Sequence, residues 1–219
     1  MEGVWPWPTF LGRGHTSSHS HADERACGRA SSTMASMTDD SDRLPLDSPR
    51  WSRLWTRMGP GAYPVPQALR ELDNDPSDLE LFREMWPEIC AEETTYDAAY
   101  AAAPYLMEFA ARLDTADADD YLIVAGLIAT YASEVPSDLE PAFKNAMQRG
   151  LELTLQRLQK CKTNEDLRYL LASVAAMRGR TDLASVLQDL GAIQESCSTC
   201  GTVVFPSELQ AAMDRDRSS

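Results

Sequence analysis

The chain has 219 residues, 43% of them hydrophobic and 25% charged, enough for one sizeable globular domain with appendages. Its net charge of -14 and pI near 4.6 argue against attraction to nucleic-acid phosphates or to anionic lipid. Residues 51–190 hold 23 of the 34 acids and 13 of the 20 bases, so the excess belongs to the globular part, either as a solvated surface or, more sharply, as a site for a basic partner.

In chain order, residues 1–47 form a regime of their own. They are rich in Ser, Thr and Gly, lack periodicity and contain all three histidines, His15, His19 and His21. This stretch reads as a disordered tail. Its opening, MEGVWPWPTF, has neither a basic region nor an unbroken apolar run and is not a secretory signal. Met34 and Met37 lie just before an acidic opening suited to a natural start, which makes the preceding residues an expected mis-called extension. No run reaches the roughly 20 apolar residues of a membrane span. The longest, Tyr121–Tyr131, reads as a buried helix. Five cysteines without a dense framework fit a reducing compartment, so a cytoplasmic location is expected.

Residues 48–192 read as helix after helix. Trp51, Leu54, Trp55 and Met58 have the spacing of one face of a short helix, and Gly59–Pro64 is a turn cluster. Pro66 then opens a helix with Leu69 and Leu72 inward. Ser77 with Glu80, and Ser137 with Glu140, each have capping-box spacing, and the repeated PSDLE marks two helix starts. The first of these helices buries Leu79, Phe82 and Trp86 and ends before Pro87.

Thr94–Leu113 organises the rest. Tyr96, Ala99, Tyr100, Ala103, Met107, Ala110 and Leu113 share one face, and Pro104 predicts a kink or a split. A long helix from Leu139 to about Lys162 follows, weakened at Gly150, with Phe143, Met147, Leu151, Leu155 and Leu158 inward. Thr163 with Asp166 caps another helix that Gly179 stops, and Thr181 starts the last. Loops this short make neighbours antiparallel, so the expected fold is all-α.

Residues 193–219 are an appendage with one chemical motif, Cys197-x-x-Cys200-Gly201. Two thiolates at this spacing chelate one zinc ion, but a structural site wants four ligands. Cys90 and Cys161 sit on predicted helices, where burial is the ordinary role. An intrachain zinc site, a zinc shared across a dimer and an unliganded knuckle therefore stay open. A thioredoxin-like role lacks its βαβ setting.

Glu92-Glu93 with Asp97, and Asp117 with Asp119-Asp120, are the visible carboxylate clusters. They fall at loops and helix starts, where negative side chains favour the helix dipole and solvent. With no histidine beyond His21, no phosphate loop and no nucleophile motif, no enzyme is expected. Trp51, Trp55, Tyr63, Trp86, Tyr96, Tyr100 and Tyr105 crowd one region as core, or in part as a binding hot spot. The candidate partner-binding residues are Trp51, Trp55, Glu92, Glu93, Tyr96 and Tyr100. The candidate metal ligands are Cys197 and Cys200.

Trp51-x-x-Leu54 leading to Gly61-Ala62-x-x-Val65-Pro66-x-x-Leu69-x-x-Leu72, then Ile89 to Ala98 and Ala102-Ala103-Pro104-Tyr105-Leu106, resembles a group of bacterial, often actinobacterial, HEAT-repeat-like proteins of unknown function. Members can also end in C-x-x-C-G. The resemblance covers residues 51–113 best. Where the group carries His-Gln-Gly, this chain has Ala91-Glu92-Glu93, so any binding role of those residues is altered or lost here. The resemblance implies a HEAT/armadillo-like α-α superhelix of stacked antiparallel helices and no known activity. The expected function is a protein-interaction module with an acidic and aromatic helical surface for a basic protein segment, without nucleic acid, membrane or cofactor. A small zinc-binding regulatory protein, its site completed in a dimer, is the alternative.

Overall fold

A computed structural model describes residues 43–190 together with the residue pairs 195–196 and 203–204. All belong to the second of two compact units, Asp42–Ser219. The first, Met1–Ser41, falls outside the described residues, as does most of the expected tail. Packing reaches back to Arg43. Tyr105 donates its hydroxyl to Leu44 O (2.7 Å), Trp51 donates Nε1–H to Pro45 O (2.9 Å), and Arg43 pairs with Glu108.

Among the described residues the fold is all-α, with seven helices. These are α1 (Val65–Asn74), α2 (Leu79–Ile89), α3 (Asp97–Arg112), α4 (Asp117–Thr130), α5 (Glu140–Leu158), α6 (Asn164–Met177) and α7 (Thr181–Asp189). Most helix packing joins first or second neighbours in sequence, and α7 also reaches α4, its third. The pairs α1 with α3, α3 with α5 and α4 with α6 lie side by side, and α7 closes against α6 and α4. Among the described residues, no helix is long and apolar enough to cross a membrane.

Local chemistry explains most of the boundaries. Pro66 sits in the first turn of α1, and Leu69 and Leu72 are fully buried beneath it. The Thr163 hydroxyl accepts from Asp166 N (3.1 Å) at the start of α6. Gly179, at φ +74°, ends that helix while Arg180 N donates to Ala175 O (2.9 Å). The two expected capping boxes are replaced. At α2 the Asp78 carboxylate accepts from Leu81 N (3.1 Å), and Ser77 instead donates its hydroxyl to Asp75 (2.6 Å), because carboxylates are the stronger acceptors at hand. At α5 the Pro136 carbonyl accepts from Leu139 N and Glu140 N, and no side chain caps.

Neither proline breaks its helix. α3 runs through Pro104, and α2 runs through Pro87 to Ile89. Burial on both sides compensates for the missing hydrogen bonds: α3 buries eleven of sixteen residues, among them Tyr100, Leu106, Met107 and Phe109. α4 is apolar nearly all round and buries twelve of fourteen. Gly126 lets α6 approach closely, since a Cβ there would lie 2.2 Å from Ser173 Oγ and 2.7 Å from its Cα. Gly150, expected to weaken α5, has a packing role: a Cβ would meet Met107 Sδ at 2.6 Å and Met177 Cε at 3.0 Å.

The helix expected over Trp51–Met58 does not form. Pro49–Arg53 is a 3-10 turn, and the chain then makes a hairpin from β1 (Trp55–Thr56) and β2 (Gly59–Pro60). Trp51 and Leu54 face the core, whereas Trp55 and Met58 are 55% and 74% exposed. A second hairpin joins α2 to α3, from β3 (Cys90–Ala91) and β4 (Thr94–Thr95). A third pair, β5 (Glu195–Ser196) with β6 (Val203–Val204), runs antiparallel beyond α7.

Candidate functional site: two hairpins beside the end of α2

The first hairpin turns at Arg57–Met58. Thr56 is buried and donates its hydroxyl to Gly59 O (2.8 Å), closing the loop from inside. Arg57 N donates to Glu88 O (2.8 Å), docking the tip on the last turn of α2. Gly61, at φ +60°, brings the chain so near Ser52 that a Cβ would lie 2.7 Å from its carbonyl oxygen. This docking presents Trp55 and Met58 outward.

The second hairpin has a two-residue turn with both central residues at positive φ, Glu92 at 53° and Glu93 at 58°. Such turns match the twist of a hairpin and normally take Asn and Gly, because a Cβ is strained there. Two glutamates in this conformation store on the order of 1 kcal/mol each. What holds them lies beneath. Thr95 is buried and donates its hydroxyl to Ile128 O (3.0 Å) in α4, and Tyr96 N donates to Ile89 O (3.0 Å). Cys90 is buried against Thr95 (3.7 Å), and burial pushes its thiol up to about 12, so it is a packing residue with no thiolate at neutral pH.

The two tips meet. Arg57 Nη2 lies 3.2 Å from Glu92 Oε1, an exposed pair that fixes register more than it stabilises. Among the expected partner-binding residues, Trp55, Glu92 and Glu93 are exposed and stand on the two hairpins that the Arg57–Glu92 pair joins. Tyr96 is half-buried where α3 begins. Trp51 and Tyr100 are elsewhere: both are buried, and the Tyr100 hydroxyl accepts from Ser133 N (3.2 Å) while its ring meets Phe143 edge-on. Of those six residues, the exposed ones, Trp55, Glu92 and Glu93, stand on hairpins, not on helices. Arg57 escaped the sequence reading, and Met58 entered it only as part of one face of a helix that does not form. The faint signals for them were Gly59 and Gly61 flanking Pro60, and the β-branched pair Thr94-Thr95.

The second carboxylate cluster is not a solvated cap. Asp119 and Asp120, in the first turn of α4, are buried. Arg157 Nε and Nη2 clamp Asp119 at 2.6 and 3.1 Å. Arg83 Nη2 reaches Asp120 at 3.4 Å. Burial pushes the Asp120 carboxyl up to about 7; Arg83 opposes the shift, and Asp117 and Asp119 add to it. The arrangement ties α2, α4 and α5 together. The remaining expected ligands, Cys197 and Cys200, lie outside the described residues, and among the described residues no group of three or more His, Cys, Asp or Glu side chains is placed to hold a metal ion.

No protein-family model, no curated protein and no solved structure matches this chain.

Proposed function

We propose that this chain is a non-enzymatic protein-interaction module, a short HEAT-like stack of helical pairs that binds a basic segment of another protein at its two hairpins. The observation that carries this reading is the strained, exposed Glu92–Glu93 turn, tied through Arg57 to the hairpin that exposes Trp55 and Met58. Strain held in place by rigid neighbours concentrates at binding sites. An exposed Trp and Met next to carboxylates give a partner both an apolar anchor and charge to pair with a Lys or Arg. The stacked reading rests on helices that pack mainly on their first and second neighbours in sequence, as solenoid repeats do. Among the described residues, the one carboxyl that burial strongly perturbs, Asp120, lies 3.4 Å from Arg83 in a part-buried contact between α2 and α4, a packing role.

The test is affinity capture from the native host by the wild-type chain and by a Trp55→Ala, Glu93→Lys double variant. Both changes fall on exposed side chains, so the thermal midpoint should hold. A stoichiometric partner with a basic segment, retained by the wild type and lost by the variant, supports the site. A partner retained equally by both removes these hairpins from the interface.

A second reading, a small zinc-binding regulatory protein, is favoured by Cys197-x-x-Cys200-Gly201, two thiols at the spacing that chelates one zinc ion. With one such pair per chain, the ion would be shared by two copies. Zinc quantified alongside molecular mass tests this: one zinc per dimer supports it, and zinc-free monomer rejects it.

A further inference from the structure

A groove opens beside the first hairpin, where the chain leaves β2 and enters α1. It encloses about 340 Å3, at the small end of ligand pockets, which takes side chains but not a helix. Leu46, Trp51, Tyr63, Pro64 and Pro66 supply its apolar walls. Arg70, the one base in the lining, donates Nη2–H to Leu46 O (2.6 Å) and so helps to build the groove. No strand among the described residues lines it, so an occupant gains nothing there by pairing as a further strand.

One rim is acidic. Gln67 lines the groove and donates Nε2–H to Glu71 Oε1 (3.0 Å), which places that carboxylate at the edge. Glu84 and Glu88 lie one turn apart on α2, which packs on α1. Burial raises the pKa of Tyr63, and the charges of Glu84, Glu88 and Glu71 raise it further, so all three carboxylates lie within electrostatic reach of its hydroxyl. Among the described residues no base forms an ion pair with any of the three. Glu88 Oε2 is moreover buried without a hydrogen-bond partner, a costly state for a carboxylate oxygen.

Building on the basic partner proposed above, we infer that this groove receives an extended, proline-containing segment of that partner, its apolar residues against Trp51, Tyr63 and the two prolines and an arginine among Glu71, Glu84 and Glu88. Proline-rich segments keep their backbone solvated and dock on aromatic-lined grooves without strand pairing. A guanidinium suits the rim: it stacks on a tyrosine ring and offers donors to several carboxylates at once, the unpaired Glu88 oxygen among them.

The test is fluorescence anisotropy on the full chain, with a labelled peptide of repeated proline, leucine and arginine and a twin carrying glutamate for arginine. The wild type should bind the first saturably and the second not at all. Glu84→Lys, at an exposed side chain, should weaken binding by about tenfold or more. Glu152→Lys makes the same reversal at an exposed position of α5, outside the groove, and should change binding by less than about threefold. Equal losses in the two variants would reduce the attraction to diffuse charge and overturn the groove, as would no binding of the arginine peptide up to millimolar concentration. The Trp55→Ala, Glu93→Lys variant separates groove from hairpins. Binding lost there but kept by Glu84→Lys overturns the groove and leaves the hairpins as the site. Binding lost in Glu84→Lys but kept by the hairpin variant supports the groove and removes the hairpins.

Discussion

The turn at Glu92–Glu93 and helix α4 are joined by a hydrogen bond, from Thr95 to Ile128 O, and in other respects they are opposites. α4 buries twelve of fourteen residues, including two carboxylates, and Gly126 admits α6 to near contact. The turn exposes both glutamates in a conformation that glycine would adopt freely. The contrast shows how a small helical protein maintains local strain: the turn is held by a hydrogen bond to a helix buried on nearly every side.

Four changes break or sharpen this contrast, and the largest concerns the charged end of α4. Folded Asp120 keeps its proton up to about pH 7, whereas in the unfolded chain it releases it near 4. The folded state therefore binds more protons between those values, and this group's stabilising contribution is lost as pH rises from about 4 through about 7, by on the order of 4 kcal/mol. Asp120→Asn does not titrate. Denaturant melts should show the variant gaining on the wild type by that amount across the window. A difference that stays flat from pH 4 to 8 would mean that Asp120 is not held in a desolvated site.

How much of this could be read in the sequence depends on the distance between cause and effect. The helices and the Thr163 and Gly179 boundaries rest on residues within a turn or two, and their spacing is visible in the chain. Aromatic count did not tell core from surface: Trp51 and Tyr100 turn inward while Trp55 faces out, a choice made by the docking of the first hairpin on α2. Nor did charge reveal that Asp119 and Asp120 are buried. Their partners Arg157 and Arg83 lie 38 and 37 residues away, and only the packed fold brings them together. The Glu92–Glu93 turn was hidden for the same reason, since nothing local favours glutamate at positive φ.

Gly126→Ala tests the close approach of α4 and α6. The new methyl would meet the Ser173 backbone, so a rotamer change cannot relieve it, and we expect a loss of about 3 kcal/mol by denaturant melt. The added Gly126→Ala, Ser173→Gly pair should recover part of it. A single variant as stable as wild type would show that the two helices stand further apart.

Asp119→Ala removes one side of the clamp and leaves Arg157 partly buried without its carboxylate. Pairs buried on both sides lose more, but Arg157 keeps some solvent contact, so a cost of about 2 kcal/mol is expected. Asp119→Ala with Arg157→Met should be less destabilised than Asp119→Ala alone. If the double variant is the worse of the two, the charges are not each other's main partners.

The smallest effect has the opposite sign and bears on function. Glu93→Gly replaces a strained residue by one that adopts φ +58° without a Cβ clash, so the protein should gain about 1 kcal/mol. Glu93→Ala keeps the Cβ and loses the charge, and should gain nothing from relief of strain. If the turn is a binding site, both variants should weaken capture of the basic partner, while only the glycine variant melts later. Stability and binding would then move in opposite directions at one position, as happens where a site keeps strain that the fold alone does not need. A glycine variant that melts no later than wild type would place the glutamates outside the left-handed region, and the case for a strained recognition turn would fall with it.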